Sequence, residues 1–337
     1  MNRLLCTTMM ILAGGLSAEA AEPARIFRLQ PAPGSAWALE ATTSVGTSAT
    51  VFGNEFDLGL HERLEATLVV ERVDPDGSTV VLLHVDRLQA MKRTGDDDED
   101  LVEYDSANPA MAASDDDEWR EFRQRGESIV GRRWRFVLRP DGAIDGVSVD
   151  AAGADAETNP LLDHDMLVTS AEVIWLAFGG REVIRLPDGP VAVGATWLHE
   201  PAAVPAKAGD PAKPAAGGWF GTSKPKSEAT FESCYAAREQ VGERMAEVVT
   251  TRRLPPKRTF SLTRDPTFEL DGRLLFDATT GEFAKGTWEG EFRSQAAVWW
   301  LLGKKIAMDF QFTLRVTPAP ATKARQVQAV RPLPPVR

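Results

Sequence analysis

The chain has 337 residues, with 38 Lys and Arg against 49 Asp and Glu, for a formal net charge of −11. An acidic chain without a basic stripe argues against a nucleic-acid-binding surface. A hydrophobic content of 43% is enough for a real core, so a disordered chain is excluded, and the length fits one large β domain or two smaller ones.

The first 20 residues hold Arg3, an apolar run from Leu4 to Leu16, and then Ala18-Glu19-Ala20. That order matches a secretory signal peptide, with cleavage expected between Ala20 and Ala21. The run is shorter than the roughly 20 apolar residues that span a bilayer, and no later segment is longer. The mature protein is therefore expected to be soluble and exported, to the periplasm or beyond. Cys234 would be its sole cysteine, which leaves no internal disulfide and predicts a packed free thiol.

Next, "RLEATLVVERV" and "STVVLLHV" lie on either side of Asp76-Gly77. Two β-branched runs around such a turn predict an antiparallel hairpin. The acidic runs at 96–100 and 115–118 read as solvated loops rather than cation sites. "RWRFVLR" then alternates, with Trp134, Phe136 and Leu138 on one face.

"LRPDGAIDGVSVD" (138–150) crowds Asp141, Asp145 and Asp150 around two glycines. A calcium loop would want oxygens at loop positions one, three and five and a glutamate at twelve. Counting from Asp141, position three is Ala143 and position twelve is Ala152. Pro-Asp-Gly also recurs at 75–77 and 187–189. Proline presets the first corner, aspartate bonds back to the backbone, and glycine takes positive φ. All three copies are therefore read as turns, and no metal site is expected.

Residues 161–178 follow Pro160 and end at Gly179-Gly180. Leu162, Met166, Leu167, Ser170, Ile174 and Phe178 recur at helical spacing, which predicts one amphipathic helix packed on the sheet. Residues 200–227, rich in Pro, Ala, Lys and Gly, read as a loop. Within them Ser223-Lys224-Pro225-Lys226 matches SxxK without the buried helix or companion motifs that chemistry needs. "GTWEGEF" places Trp288 and Phe292 opposite Thr287, Glu289 and Glu291, and "AMDFQFTLRV" alternates through Met308, Phe310, Phe312, Leu314 and Val316. Trp299 and Trp300 are adjacent, so on a strand one of them would leave the core. Residues 318–337 are proline-rich and basic and read as a disordered tail.

These elements predict a mainly β protein. It would be a large curved antiparallel sheet or half-barrel with one principal helix on it, in halves 21–199 and 228–317. Four histidines, His61, His84, His164 and His199, fall in no metalloprotease or nucleophile-elbow motif. The favoured function is a non-enzymatic exported binding or envelope protein. It would hold a lipid or other apolar ligand between sheet and helix, near Met166, Ile174, Phe178, Trp299 and Trp300, without a cofactor. The alternative is a hydrolase whose site is assembled from dispersed His and Asp or Glu residues.

Several short segments occur in a recognisable order: Tyr104-Asp105-Ser106; Gly142; Pro187, Pro190, Val191, Val193, Gly194 and Trp197; then Phe276, Asp277 and Gly281. In this respect the chain resembles an uncharacterised family of secreted bacterial β-rich proteins, a domain of unknown function. The family is similar in outline to curved-sheet periplasmic carriers of lipoproteins or lipids. The resemblance implies a curved sheet and transfers no catalytic residue.

Overall fold

A computed structural model describes residues 23–51, 54–94, 101–112, 117–142, 144–149, 185–199, 230–254, 267–298 and 304–329. The twelve strands are β1 (Ala36–Val51), β2 (Asn54–Val73), β3 (Thr79–Thr94), β4 (Leu101–Asp105), β5 (Arg133–Leu138), β6 (Ile144–Val149), β7 (Thr196–His199), β8 (Thr230–Val241), β9 (Arg244–Leu254), β10 (Thr267–Asp277), β11 (Glu282–Val298) and β12 (Lys304–Pro318). The helices are α1 (Pro109–Ala112), α2 (Asp117–Ile129) and α3 (Ala321–Ala329).

All twelve strands form one antiparallel sheet in the order β6-β5-β3-β2-β1-β12-β11-β10-β9-β8-β7, with β4 also on β3. The chain's first and last strands pair at its centre, from Trp37↔Pro318 to Ala49↔Ile306. This pairing fuses the two expected halves into one sheet. β7 already belongs to the second half, since it pairs with β8.

The sheet must curl. β5 and β7 are nine places apart in the strand order, which on a flat sheet is roughly 43 Å at the usual strand spacing. Yet the Leu186 N–H donates to the Asp141 carbonyl in the β5–β6 turn at 2.9 Å, only ten residues before β7. A strap of residues 25–34 makes the same link. Arg25 bonds Val191 through both backbone groups at 2.8 Å, Leu29 N–H donates to Pro140 O at 2.8 Å, and Gln30 N–H to Gly281 O at 3.0 Å. Four residues of extended chain reach about 14 Å at most, so the strap binds both ends of the strand order only because they approach each other.

Turn chemistry explains the strap's seat. Gly77 and Gly142 have φ of 88° and 86°, as the Pro-Asp-Gly reading requires, whereas Gly189 in the third copy lies in a bend without positive φ. Asp76 accepts the Ser78 N–H at 2.9 Å, which helps hold its carboxyl below the usual carboxylate value. At Gly281 (φ 70°) a Cβ would lie 2.8 Å from Gln30 N and 2.9 Å from Arg28 O. Only glycine lets the β10–β11 turn meet the strap.

Alternation divides the sheet into two faces. The inner face carries the core: Leu39 and Ala41 on β1, Leu64 and Leu68 on β2, Trp134, Phe136 and Leu138 on β5, Trp288 on β11, Leu314 and Val316 on β12. The outer face is polar over most of its extent, except where α3 lies on it and at a small apolar cluster of Ala246, Val248 and Leu275.

Helix α3 corrects one expectation. Part of the tail expected to be disordered is helical, and Ala324 and Val327 pack on Val69 and Leu82 of the outer face. Lys323 Nζ reaches Asp86 Oδ2 at 2.9 Å, and Thr67 Oγ1 donates to the same oxygen at 2.6 Å. Asp86 can do this because it is the extra residue of a β-bulge between Glu65↔Arg87 and Ala66↔Val85. A second correction is α2. The acidic run at 115–118 suggests a solvated loop, yet Asp117 and Glu118 open the helix, where acids suit the positive end. The expected signal peptide, the 161–178 helix and the 200–227 loop lie outside the described residues.

His84 stands beside this anchor, its Nε2 3.8 Å from Asp86. Burial pushes its imidazole below the ordinary value. Asp86 and the Arg132 backbone pull the other way, and Arg133 and Lys323 add to the depression. A histidine with a lowered folded pKa is neutral in the native state while the unfolded chain takes up a proton. Its contribution to stability is present above the unfolded value of about 6.5 and is lost as pH falls through the folded value. Wild type is therefore expected to lose urea stability between about pH 7.5 and 5 more steeply than His84→Gln. Parallel slopes for the two proteins would refute this account.

Candidate functional site

The inner face carries the largest buried apolar cluster among the described residues. Of the 35 buried residues in its cluster, 30 lie on strands and five lie on elements laid over the sheet: Phe27, Leu29, Phe122, Ile129 and Leu186. The ring contacts of Phe27 fall on Tyr235 and Phe276, and that of Phe122 on Tyr104. These covers therefore sit towards β8–β10 and β4.

Glycine keeps part of this face low. Gly272 is the cross-strand partner of Trp288, and Gly290 of Phe312. A Cβ at Gly272 or Gly286 would overlap the Trp288 ring, and one at Gly290 the Phe312 ring. The two rings lie flat over bare backbone instead of standing up from the sheet, the glycine–aromatic pairing found where sheets curve.

Polar groups interrupt the apolar surface, Thr43, Thr79 and His199 among them. Glu62 is fully buried at the inward position between Leu60 and Leu64. Arg125 of α2 grips it with two guanidinium nitrogens, Nη2 to Oε2 at 2.9 Å and Nη1 to Oε1. Glu247, 2% exposed, accepts the Tyr235 hydroxyl and faces Arg238 at 3.3 Å and Arg25 of the strap at 3.6 Å. Trp134 is fully buried, and among the described residues its Nε1–H meets no acceptor. The two carboxylates are thus matched by arginines. They serve as anchors for α2 and the strap, not as a converging acid–base pair.

On the outer face a groove of about 620 Å³ crosses β7–β11, floored by Cys234, Thr250, Arg252, Asp271, Arg273 and Thr287. Its Arg252 donates to Glu232 at 2.6 Å, and Arg273 to Glu239. Cys234 is free and half-buried there.

The histidines do not assemble. His61 Nδ1 shares a hydrogen bond of 2.9 Å with Ser44 Oγ on the exposed outer face, as a cross-strand pair. His84 lies under α3, and His199 is buried on β7, stacked on Phe231 at 5.5 Å. His164 is outside the described residues, as are Met166, Ile174, Phe178, Trp299 and Trp300, on which the ligand site is expected from the sequence. Of the three aspartates around the 138–150 turn, Asp141 faces Arg139 at 3.3 Å and Arg185 at 3.7 Å.

The ordered short motifs prove to be fastenings. Tyr104 is buried against Phe122, and burial raises its hydroxyl pKa, with Glu127 adding to the rise. Arg87 holds Asp105 through two nitrogens, Nε at 2.9 Å, and this bond lowers the Asp105 pKa despite its partial burial. Ser106 Oγ accepts the Leu88 N–H at 2.9 Å. Gly194 takes φ of 87° while its N–H reaches Tyr235 O at 2.7 Å, and Trp197 Nε1 donates to Arg185 O at 2.9 Å. Burial of Asp277 would raise its carboxyl, yet the Thr279 and Thr280 N–H groups at 2.9 and 3.2 Å hold it below the usual value, helped by Arg244.

No protein-family model and no curated protein matches the sequence. Three solved structures are similar to it in outline. Lipovitellin, in a structure titled for its lipid–protein interactions, aligns over 86% of this chain at 7% identity and a TM-score of 0.44; the chain spans only 25% of it. The translocator domain of the autotransporter NalP from Neisseria meningitidis covers 83% of this chain and 88% of its own, at 6% identity and a TM-score of 0.18. A DUF1329 family protein from Desulfovibrio piger covers 80% and 83%, at 8% identity and a TM-score of 0.12. These scores are too low to carry function across, and the expected family resemblance stays at the level of outline.

Proposed function

We propose that the protein is an exported, non-enzymatic carrier that holds an apolar ligand of the lipid class against the inner face of its sheet. The observation that carries this reading is the composition of that face. A curled sheet turns its apolar side inward. Thirty strand side chains of the described residues join one apolar cluster there, interrupted by only a few placed polar groups. Ligand sites are mostly apolar with a few placed polar groups, and this face has that composition. The arginine-matched carboxylates and the dispersed histidines offer no general acid–base pair among the described residues, which favours binding over hydrolysis.

The test is direct. The full chain, purified without detergent, is extracted with chloroform–methanol and the extract analysed by mass spectrometry, and the extracted protein is offered a fluorescent fatty acid. A co-purified lipid in near-stoichiometric amount, or saturable uptake of the probe, is expected. A lipid-free extract together with no uptake would overturn the reading.

A further inference from the structure

We infer that the indole N–H of Trp134 is the polar recognition element of the inner face, donating to a carbonyl oxygen of the bound lipid, so that the ligand is an acyl ester or acid and not a plain hydrocarbon. This deepens the carrier reading and rests on it. Buried tryptophans almost always place their N–H on an acceptor, and two other tryptophans of this protein, one buried and one half-buried, do so. Trp37 Nε1 donates to Phe283 O at 2.8 Å, and Trp197 Nε1 to Arg185 O at 2.9 Å. Trp134, with 0% exposure, has neither solvent nor an acceptor among the described residues.

Its position narrows what could satisfy it. Trp134 pairs across β5–β3 with Leu83, and Leu83 across β3–β2 with Leu68; Phe136 follows two residues along on the same face. A buried water needs two to four polar partners, and this patch offers leucines and an aromatic ring. An ester or acid brings its own oxygen, with an acyl chain that suits the leucines on either side. A second unmet group lies on the same pair of strands. The hydroxyl of Thr79, two residues before the inward Val81, is fully buried without a partner among the described residues. An unmet donor lowers the stability of the ligand-free protein and is made good only when an acceptor arrives.

The experiment uses the full chain, ¹⁵N-labelled at tryptophan, with the Trp134 indole signal assigned by its loss in Trp134→Phe. If that variant does not fold, sequential assignment in wild type replaces it. Methyl oleate and 1-octadecene, delivered from a cyclodextrin, are titrated separately. Methyl oleate is expected to bind and move the Trp134 indole proton downfield, while octadecene binds without moving it. Trp134→Phe is expected to weaken methyl oleate about fivefold, the worth of one ordinary hydrogen bond, and octadecene hardly at all. If both probes bind and the indole signal stays still, this inference is wrong and the carrier reading survives. If neither probe binds, the carrier reading fails and takes the inference with it.

Discussion

Arg125→Met is expected to destabilise the protein by about 3–5 kcal/mol, because it removes the guanidinium clamp from a carboxylate that has no exposed surface. Glu62 has no exposed surface, and Arg125 has 11%. The interaction is therefore not the screened surface pair worth a few tenths of a kcal/mol. Removing both charges separates two contributions. In Glu62→Leu/Arg125→Met no charge is left unpaired, and the double variant should recover most of the loss, or exceed wild type. Urea unfolding of the three proteins reads the comparison. Single and double variants of equal stability would show that the pair is not what holds the site. The consequence is more than structural, since Arg125 is how α2 is fastened over the inner face. If α2 is released in the single variant, apolar dye should bind it at urea concentrations where wild type is still folded.

The sequence made the strands legible and the fastenings less so. Alternation placed Trp134, Phe136, Leu138, Trp288 and Phe310 through Val316 on the inner face, and they are there. The same parity puts Glu62 inside, between Leu60 and Leu64, but a buried charge makes sense only once its partner is known. That partner sits on α2, whose stretch "DEWREFRQRGESI" is so polar that it reads as a charge run. Its few apolar residues, Trp119, Phe122 and Ile129, find their place only by packing on the sheet. Helix α3 was hidden for a related reason. Ala324 and Val327 make a stripe too short to notice among prolines and basic residues, and the outer-face residues Val69 and Leu82 supply its other half. The central pairing of β1 with β12 leaves no local trace, because its partners are separated by most of the chain. Nor does any motif announce Trp134; its unmet N–H is visible only against neighbours that fail to satisfy it.

Trp288→Ala is expected to cost about 3–5 kcal/mol, as for other buried large aromatics, and its coupling to Gly272 should reveal how the inner face is built. The ring is 2% exposed and covers both Gly272 and Gly286. A side chain at Gly272 has nowhere to go while the ring is there, so Gly272→Val should cost about 1–3 kcal/mol through overpacking. Strand propensity alone predicts the opposite sign, since valine favours strands and glycine weakens them. In the double variant the ring that clashed with valine is gone, and valine fills part of the space it left. The combined loss should therefore fall short of the sum by about 1 kcal/mol or more, outside the scatter seen for independent sites. Equilibrium unfolding of wild type, both single variants and the double variant closes the cycle. Additive losses, or a Gly272→Val protein more stable than wild type, would mean the ring does not rest on the glycine. Ligand binding adds a second reading. With the Trp288 ring pushed upright by the introduced valine, the low surface over β10–β11 becomes a ridge, and fatty-acid uptake should fall in Gly272→Val while the unfolding transition remains cooperative.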